Sequence, residues 1–240
     1  MGLRNVFFLS LLFNTIENCI IQMSQERCKC SESYNKFYQI EIDCSNEMPT
    51  NNIQTLPVLQ NYLKSNVTYS ILYKKKQIHK IANYSFLNLQ IINLDMSENN
   101  IEIIEKHAFY ELKNLKILKL SNNKLDKIDF DIENFEFLTQ IDLSYNQIKE
   151  LRSYAFRGLK NLEVLDLYSN QINLIKSEIF NDLILLRRIS LGKNLIENCR
   201  NLFSSIADIH IFNLNYNILE TIDSNCFTKS HFKILVLTLS

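Results

Sequence analysis

A chain of 240 residues with 46% hydrophobic side chains holds enough apolar surface for a sizeable core, in one large domain or two small ones. Its 26 Lys and Arg balance 26 Asp and Glu, so no global charge points to nucleic acid or an acidic membrane surface as partner. The three glycines, Gly2, Gly158 and Gly192, are too few and too scattered for a phosphate-cradling loop, which excludes nucleotide-binding folds of that kind.

The chain opens MGLRNVFFLSLLFNTIEN, with Arg4 ahead of an apolar run from Val6 to Phe13 and polar residues after it. Such a run spans about 12 Å as a helix, against roughly 30 Å for a bilayer core, so residues 1–18 read as a secretory signal and not as an anchor. No other stretch approaches about 20 apolar residues, and membrane attachment is not visible in the sequence.

Cys19, Cys28, Cys30 and Cys44 lie in the next segment, 19–67. Cys28 and Cys30 are badly placed to bond each other and need partners elsewhere. Four cysteines allow three pairings. In an oxidising compartment, where disulfides persist, the segment is expected to cover the open apolar end of the array that begins at Thr68. A four-thiolate zinc site is the competing reading, but the pair of CxxC knuckles it needs is missing. Two glycosylation sequons, at Asn66 and Asn83, become usable on secretion.

From Thr68 onward one pattern recurs. It gives INLDMSENNIEII from Ile92, LKLSNNKLDKI from Leu118, IDLSYNQIKEL from Ile141, LDLYSNQINLI from Leu165, ISLGKNLIENC from Ile189 and FNLNYNILETI from Phe212. Its asparagines are Asn99, Asn123, Asn146, Asn170, Asn194 and Asn217, spaced by 24, 23, 24, 24 and 23 residues. The LxL step predicts a short strand with alternate residues inward, so that successive units lay their strands in one parallel sheet. Apolar residues after the Asn, such as Ile148 and Leu151, turn the chain beneath that sheet. Pairs such as Ala155 and Phe156 close the convex back. The Asn amide offers two donors and an acceptor to backbone groups left open where the chain leaves the strand.

Both ends of the array fade. The segment 68–89 keeps the apolar positions but has Lys76 in place of the Asn, and FKILVLTLS (232–240) supplies a strand and stops where the next Asn would fall. The expected layout is therefore a signal at 1–18, a cysteine-rich cap at 19–67, and about seven repeats plus a truncated eighth at 68–240. A fragment of a longer protein fits this ending; a natural end with Leu235 and Leu237 facing a partner subunit is the alternative.

Cys199 and Cys226 fall inside the repeats and read either as buried thiols or as a disulfide between adjacent turns. The outward strand positions form the concave face, whose central column is Asp95, Lys119, Asp142, Asp166, Ser190 and Asn213, flanked by Arg187, Arg188 and Lys193. Tyr145, Tyr168 and Tyr216 line its edge near the asparagine turn, where amphipathic rings can anchor a protein contact. Singly, each of these also reads as a solvated side chain. The four histidines occupy different frame positions, and Asp126, Asp129 and Asp131 read as an exposed acidic turn and not a calcium loop. No Ser-His-Asp, HExxH or paired acid and base occurs, so the expectation is a non-enzyme with no metal and no cofactor.

The frame LxxLxLxxNxLxxL resembles the extracellular type of leucine-rich repeat from about Thr68 to Ser240. The resemblance implies an α/β solenoid: a horseshoe with a parallel sheet on its concave face, short helical or irregular convex segments and a disulfide-bonded N-terminal cap. The family's caps further imply pairing of Cys19 with Cys30 and of Cys28 with Cys44. The cysteine spacing with its atypical first repeat is similar to the arthropod family typified by the non-catalytic subunit of the secreted oplophorus-type luciferase. That likeness implies a secreted module that binds an extracellular protein. The repeats themselves are shared with chaoptin, slit and Toll-type receptors, so a truncated membrane-receptor ectodomain is the alternative.

Overall fold

A computed structural model describes residues 29–33, 39–43, 68–86, 89–153, 155–199, 208–220, 226 and 231–236. The signal at 1–18, Cys19, Cys28, Cys44 and Asn66 lie outside the described residues, as do the expected pairings of the N-terminal cysteines. Of Cys30 only the backbone is described.

The chain winds as a coil in which each turn contributes one strand to a common sheet. Two strands come first, β1 (Lys29–Ser33) and β2 (Gln39–Asp43), paired antiparallel. Eight parallel strands then follow from the repeats: β3 (Thr68–Leu72), β5 (Gln90–Asp95), β7 (Ile117–Lys119), β8 (Gln140–Asp142), β10 (Val164–Asp166), β12 (Arg188–Ser190), β13 (Asp208–Asn213) and β14 (His231–Val236). β2 runs parallel to β3, so the sheet begins ahead of the first repeat, an extension that the cysteine pattern of the cap does not announce.

On the flank, two-residue strands pair in twos: β4 (Lys80–Ile81) with β6 (Ile103–Ile104), and β9 (Glu150–Leu151) with β11 (Leu174–Ile175). The convex segments return as tight turns such as Ala108 N–H to Glu105 O, and a short 3-10 helix forms at Ser177–Phe180.

The core is a set of ladders, one rung per turn. Leu94, Leu118, Ile141, Leu165, Ile189 and Phe212 stack beneath the sheet, and Met96, Leu120, Leu143, Leu167, Leu191 and Leu214 lie two residues further on. All are buried, and each gains its cover from the turns on either side, so no single repeat holds its own core. The third repeat departs from the rule. Ile132 stands where Phe109 and Phe156 stand in the turns on either side, and Phe130 turns inward to meet Phe109 edge to face at 5.4 Å.

The asparagines form a continuous hydrogen-bonded spine. Asn146 Nδ2 donates to the carbonyls of Leu120 (3.0 Å) and Leu143 (3.1 Å), and its Oδ1 accepts from Leu125 N–H at 3.0 Å. Asn99, Asn123, Asn170, Asn194 and Asn217 make the same set one turn apart. The residue before each Asn is left-handed: Glu98, Asn122, Tyr145, Ser169, Lys193 and Tyr216 have φ from 53 to 56°. That conformation is uncommon outside glycine. Here it is held by bonds from turn to turn, as in Tyr145 N–H to Tyr168 O at 2.8 Å.

Cys199 and Cys226 are joined by a disulfide, with 5.0 Å between their Cα atoms. Both are buried, and the bridge ties one turn to the next.

Candidate functional site

The strand register brings the expected column together. Asp95 pairs with Lys119, Lys119 with Asp142, Asp142 with Asp166, Asp166 with Ser190, and Ser190 with Asn213. Neighbouring rungs of a sheet stand about 4.8 Å apart, so these six side chains form one row across the concave face.

The row is not uniform in what it offers. Asp95 is only 8% exposed, and its carboxylate lies 3.2 Å from Lys74 Nζ and 3.8 Å from Lys119 Nζ. Its Oδ1 also accepts from Ser97 N–H and Oγ–H. Both carboxylate oxygens of Asp95 thus have partners within the fold.

Asp142 and Asp166 are half-buried neighbours of like charge. Each lends Oδ1 to the amide two residues on, Asp142 to Ser144 at 3.0 Å and Asp166 to Tyr168 at 2.9 Å, as Asn213 does for Asn215 at 3.0 Å. One carboxylate oxygen of each thus fixes the turn, and Asp166 also takes a side-chain hydrogen bond from Ser190. Burial raises the Asp166 pKa above the usual carboxylate value. The Tyr168 N–H opposes that shift, and the charge on Asp142 adds to it.

A second row, which the repeat pattern alone does not single out, runs beside the first: Asn93, Ile117, Gln140, Val164, Arg188 and Ile211. Ile117, Val164 and Ile211 are half-buried, and Arg188 is exposed among them. The outward position two residues before each Asp or Lys of the first row was the available signal. Arg187, one residue away, is taken by Asp208 at 2.7 Å.

The tyrosines divide. Tyr145 and Tyr216 share one frame position, immediately before the Asn, whereas Tyr168 sits one place earlier. The rings of Tyr145 and Tyr168 nonetheless meet edge to face at 5.6 Å, making a paired aromatic rim beside Asp142 and Asp166. Tyr216 is 64% exposed and lies further along the coil. Between them Gly192 leaves room for its neighbours: a Cβ there would run into Asn215 Oδ1 and lie 3.0 Å from the Tyr168 ring. Asn215 Oδ1 is buried and accepts no hydrogen bond from the described residues.

Elsewhere, His107 Nδ1 lies 2.8 Å from Asp131 Oδ2, with Tyr84 stacked on the imidazole at 5.9 Å. Tyr84, His107 and Asp131 occupy the same frame position in successive turns, a vertical relation hidden when each repeat is read by itself. Around this pair lie the rings of Tyr84 and Tyr110 and the side-chain amide of Asn83. Asn83 is exposed, with Oδ1 accepting from His107 N–H at 2.8 Å. Its own N–H donates to Glu105, whose pKa is held low by Lys80 and by that bond. Among the described residues no cluster of His, Cys, Asp and Glu has the arrangement of a metal site, and no helix is long and apolar enough to cross a membrane.

The family model described as leucine rich repeat matches residues 74–129 and 137–196. No curated protein matches the sequence. Solved structures superpose on the coil. The TLR13–ssRNA13 complex does so at 24% identity and TM-score 0.60, over 72% of this chain and 25% of that one. The leucine-rich repeat domain of APL1B does so at 19% and 0.60, over 71% and 49%. The Toll–Spatzle complex of Drosophila does so at 20% and 0.62, over 79% and 29%. The chain spans between a quarter and a half of those proteins' length. The family model, the repeat frame and the parallel sheet it builds agree: residues 74–129 and 137–196 are repeats of the leucine-rich repeat family, and the solved structures share the fold.

Proposed function

We propose that the chain is a secreted, non-catalytic binding module that recognises an extracellular protein with its concave face. The row Lys119, Asp142, Asp166, Ser190 and Asn213 supplies charge and hydrogen-bonding groups. Ile117, Val164 and Ile211 supply apolar area, and Tyr145 with Tyr168 supplies the aromatic anchor. The observation that carries this reading is the juxtaposition of a half-buried acidic pair with a paired tyrosine rim on an open sheet. Aromatic residues beside desolvated charge are the usual composition of a binding hot spot. Two adjacent carboxylates repel a phosphate backbone, which favours protein over nucleic acid, although one solved neighbour is a complex with single-stranded RNA. Secretion, the cysteine cap, glycans at Asn66 and Asn83, and kinship with the luciferase-subunit family belong to the same proposal.

The test replaces Tyr168 with Ala and Asp166 with Asn together and measures capture of proteins from extracellular fluid. Loss of captured protein is expected. Unchanged capture by a variant with native circular dichroism overturns the assignment. A second reading, an ectodomain of a membrane receptor, draws support from the likeness to Toll. Transcript sequence beyond Ser240 that encodes a hydrophobic span would favour it.

A further inference from the structure

The turns are stitched along their flank as well as through the concave sheet, and the third repeat breaks that second seam. Between the first and second turns the flank carries bonds from Glu102 N–H and Ile103 N–H to His79 O and from Glu105 N–H to Ile81 O. Between the second and third, Lys124 N–H reaches Ile101 O at 2.9 Å, and the next bond is Asp131 N–H to Lys106 O at 2.8 Å. In the interval no backbone bond joins the described residues of 102–105 to those of 125–130.

The cause is local sequence. Phe135 follows Asn123 by 12 residues, whereas Leu112 and Leu159 follow their asparagines by 13. The third turn is thus one residue short ahead of Phe135, and Phe130 is pulled inward against Phe109. A cleft of about 920 Å³ opens there, floored by Ile104, Leu125 and Phe130.

Both lips of the cleft are backbone edges. Pairing with β4 uses Ile103 and Glu105, and strand alternation turns the carbonyls of Glu102 and Ile104 the other way, toward the opening. On the far lip the amides of Asp126 to Asp129 donate to no backbone carbonyl of the described residues. Open donors and acceptors on parallel lips are what an added strand satisfies.

Charge fixes the chemistry of that strand. Glu102 is matched by Lys124 at 3.6 Å, and Asp129 by Lys127 at 3.1 Å and Arg152 at 3.4 Å. Asp126 and Lys106 have no ion pair among the described residues, and both are exposed. Asp126 stands level with Glu102 in the repeat frame, and Lys106 lies four residues beyond, about 13 Å along an extended chain.

We propose that this cleft takes an extended peptide of a partner protein by strand addition, parallel to both lips, with a basic residue facing Asp126 and an acidic residue four positions later facing Lys106. Residues four apart in a strand project to the same side, so one peptide reaches both charges. The site is separate from the concave face, and neither charge belongs to the row placed there.

The probe is a fluorescent synthetic peptide, Thr-Lys-Val-Thr-Val-Glu-Thr, titrated against the whole chain by anisotropy. Saturable binding is expected, with protection of the Asp126–Asp129 amides from hydrogen exchange. A copy N-methylated at alternate residues should bind at least ten-fold more weakly, and so should the copy with Lys and Glu exchanged. The exposed double variant K106E/D126K should reverse the preference between the two charge orders. Absent binding, equal binding of the N-methylated copy, or an unreversed preference each overturns the proposal.

Discussion

Replacing Asn146 and Asn170 by alanine, singly and together, probes how the spine is wired. From Met96 to Leu191, each carbonyl three residues before a spine Asn receives two amides: Leu143 O accepts from Asn146 Nδ2 at 3.1 Å and from Asn170 Nδ2 at 3.0 Å. Likewise Leu120 O accepts from Asn123 and Asn146, and Ser144 O keeps a bond from Asn122 N–H after Asn146 is lost. Asn146→Ala therefore orphans one buried group, the Leu125 amide that its Oδ1 accepts, and should cost about 1–3 kcal/mol. Asn170→Ala orphans the Ile148 amide at similar cost. Together they orphan those two amides and also Leu143 O, so the double variant should lose on the order of 1–3 kcal/mol more than the sum of the singles. Asn99→Ala with Asn194→Ala is the control, because these residues share no carbonyl and should add. The assay is urea denaturation followed by far-ultraviolet circular dichroism, with equal m values as the condition for comparison. Additivity within about 0.5 kcal/mol for the adjacent pair would falsify the shared-acceptor account.

Removal of the Cys199–Cys226 bridge, as the double alanine variant, should cost about 3.5 kcal/mol for its 27-residue loop. A urea midpoint equal to that of the oxidised chain would contradict this. Asp166→Asn should stabilise the protein at pH 7, because burial foremost, then the Asp142 charge, raises the carboxyl pKa on folding. Stability tied to this group is complete below the unfolded value, about 3.9, and is lost as pH rises through the folded one. The gain from the substitution should accordingly vanish in melts recorded below about pH 4; a gain that persists in acid would have another origin.

The repeat frame made most of the fold legible. The spacing of Asn99 to Asn217 sets the ladder, and the LxL step sets which side chains point inward. The outward row from Lys119 to Asn213 follows from the same frame, but the charge it presents does not. That Asp95 is neutralised by Lys74 and Lys119 depends on the first turn lying beside the second. The His107–Asp131 pair was hidden for a related reason, since its members are 24 residues apart and meet only when turns are stacked. The one-residue shortening ahead of Phe135 is not visible in the asparagine spacing, because 23 residues is ordinary for this chain and only the position of the shortening within the repeat changes the packing. The β1–β2 hairpin was masked by its cysteines, although QIEID alternates as a strand does.

The missing flank bonds of the third repeat also bear on mechanics. Turns fastened on two sides, as the first is to the second, resist bending together. At the junction of the second and third the concave sheet and the asparagine spine remain while no backbone bond joins 102–105 to 125–130, so those two turns are fastened less completely than the first two. Flexure about that line tilts Asp95 against Lys119 across neighbouring strands, so the geometry of the concave row is tied to an omission on another side of the coil.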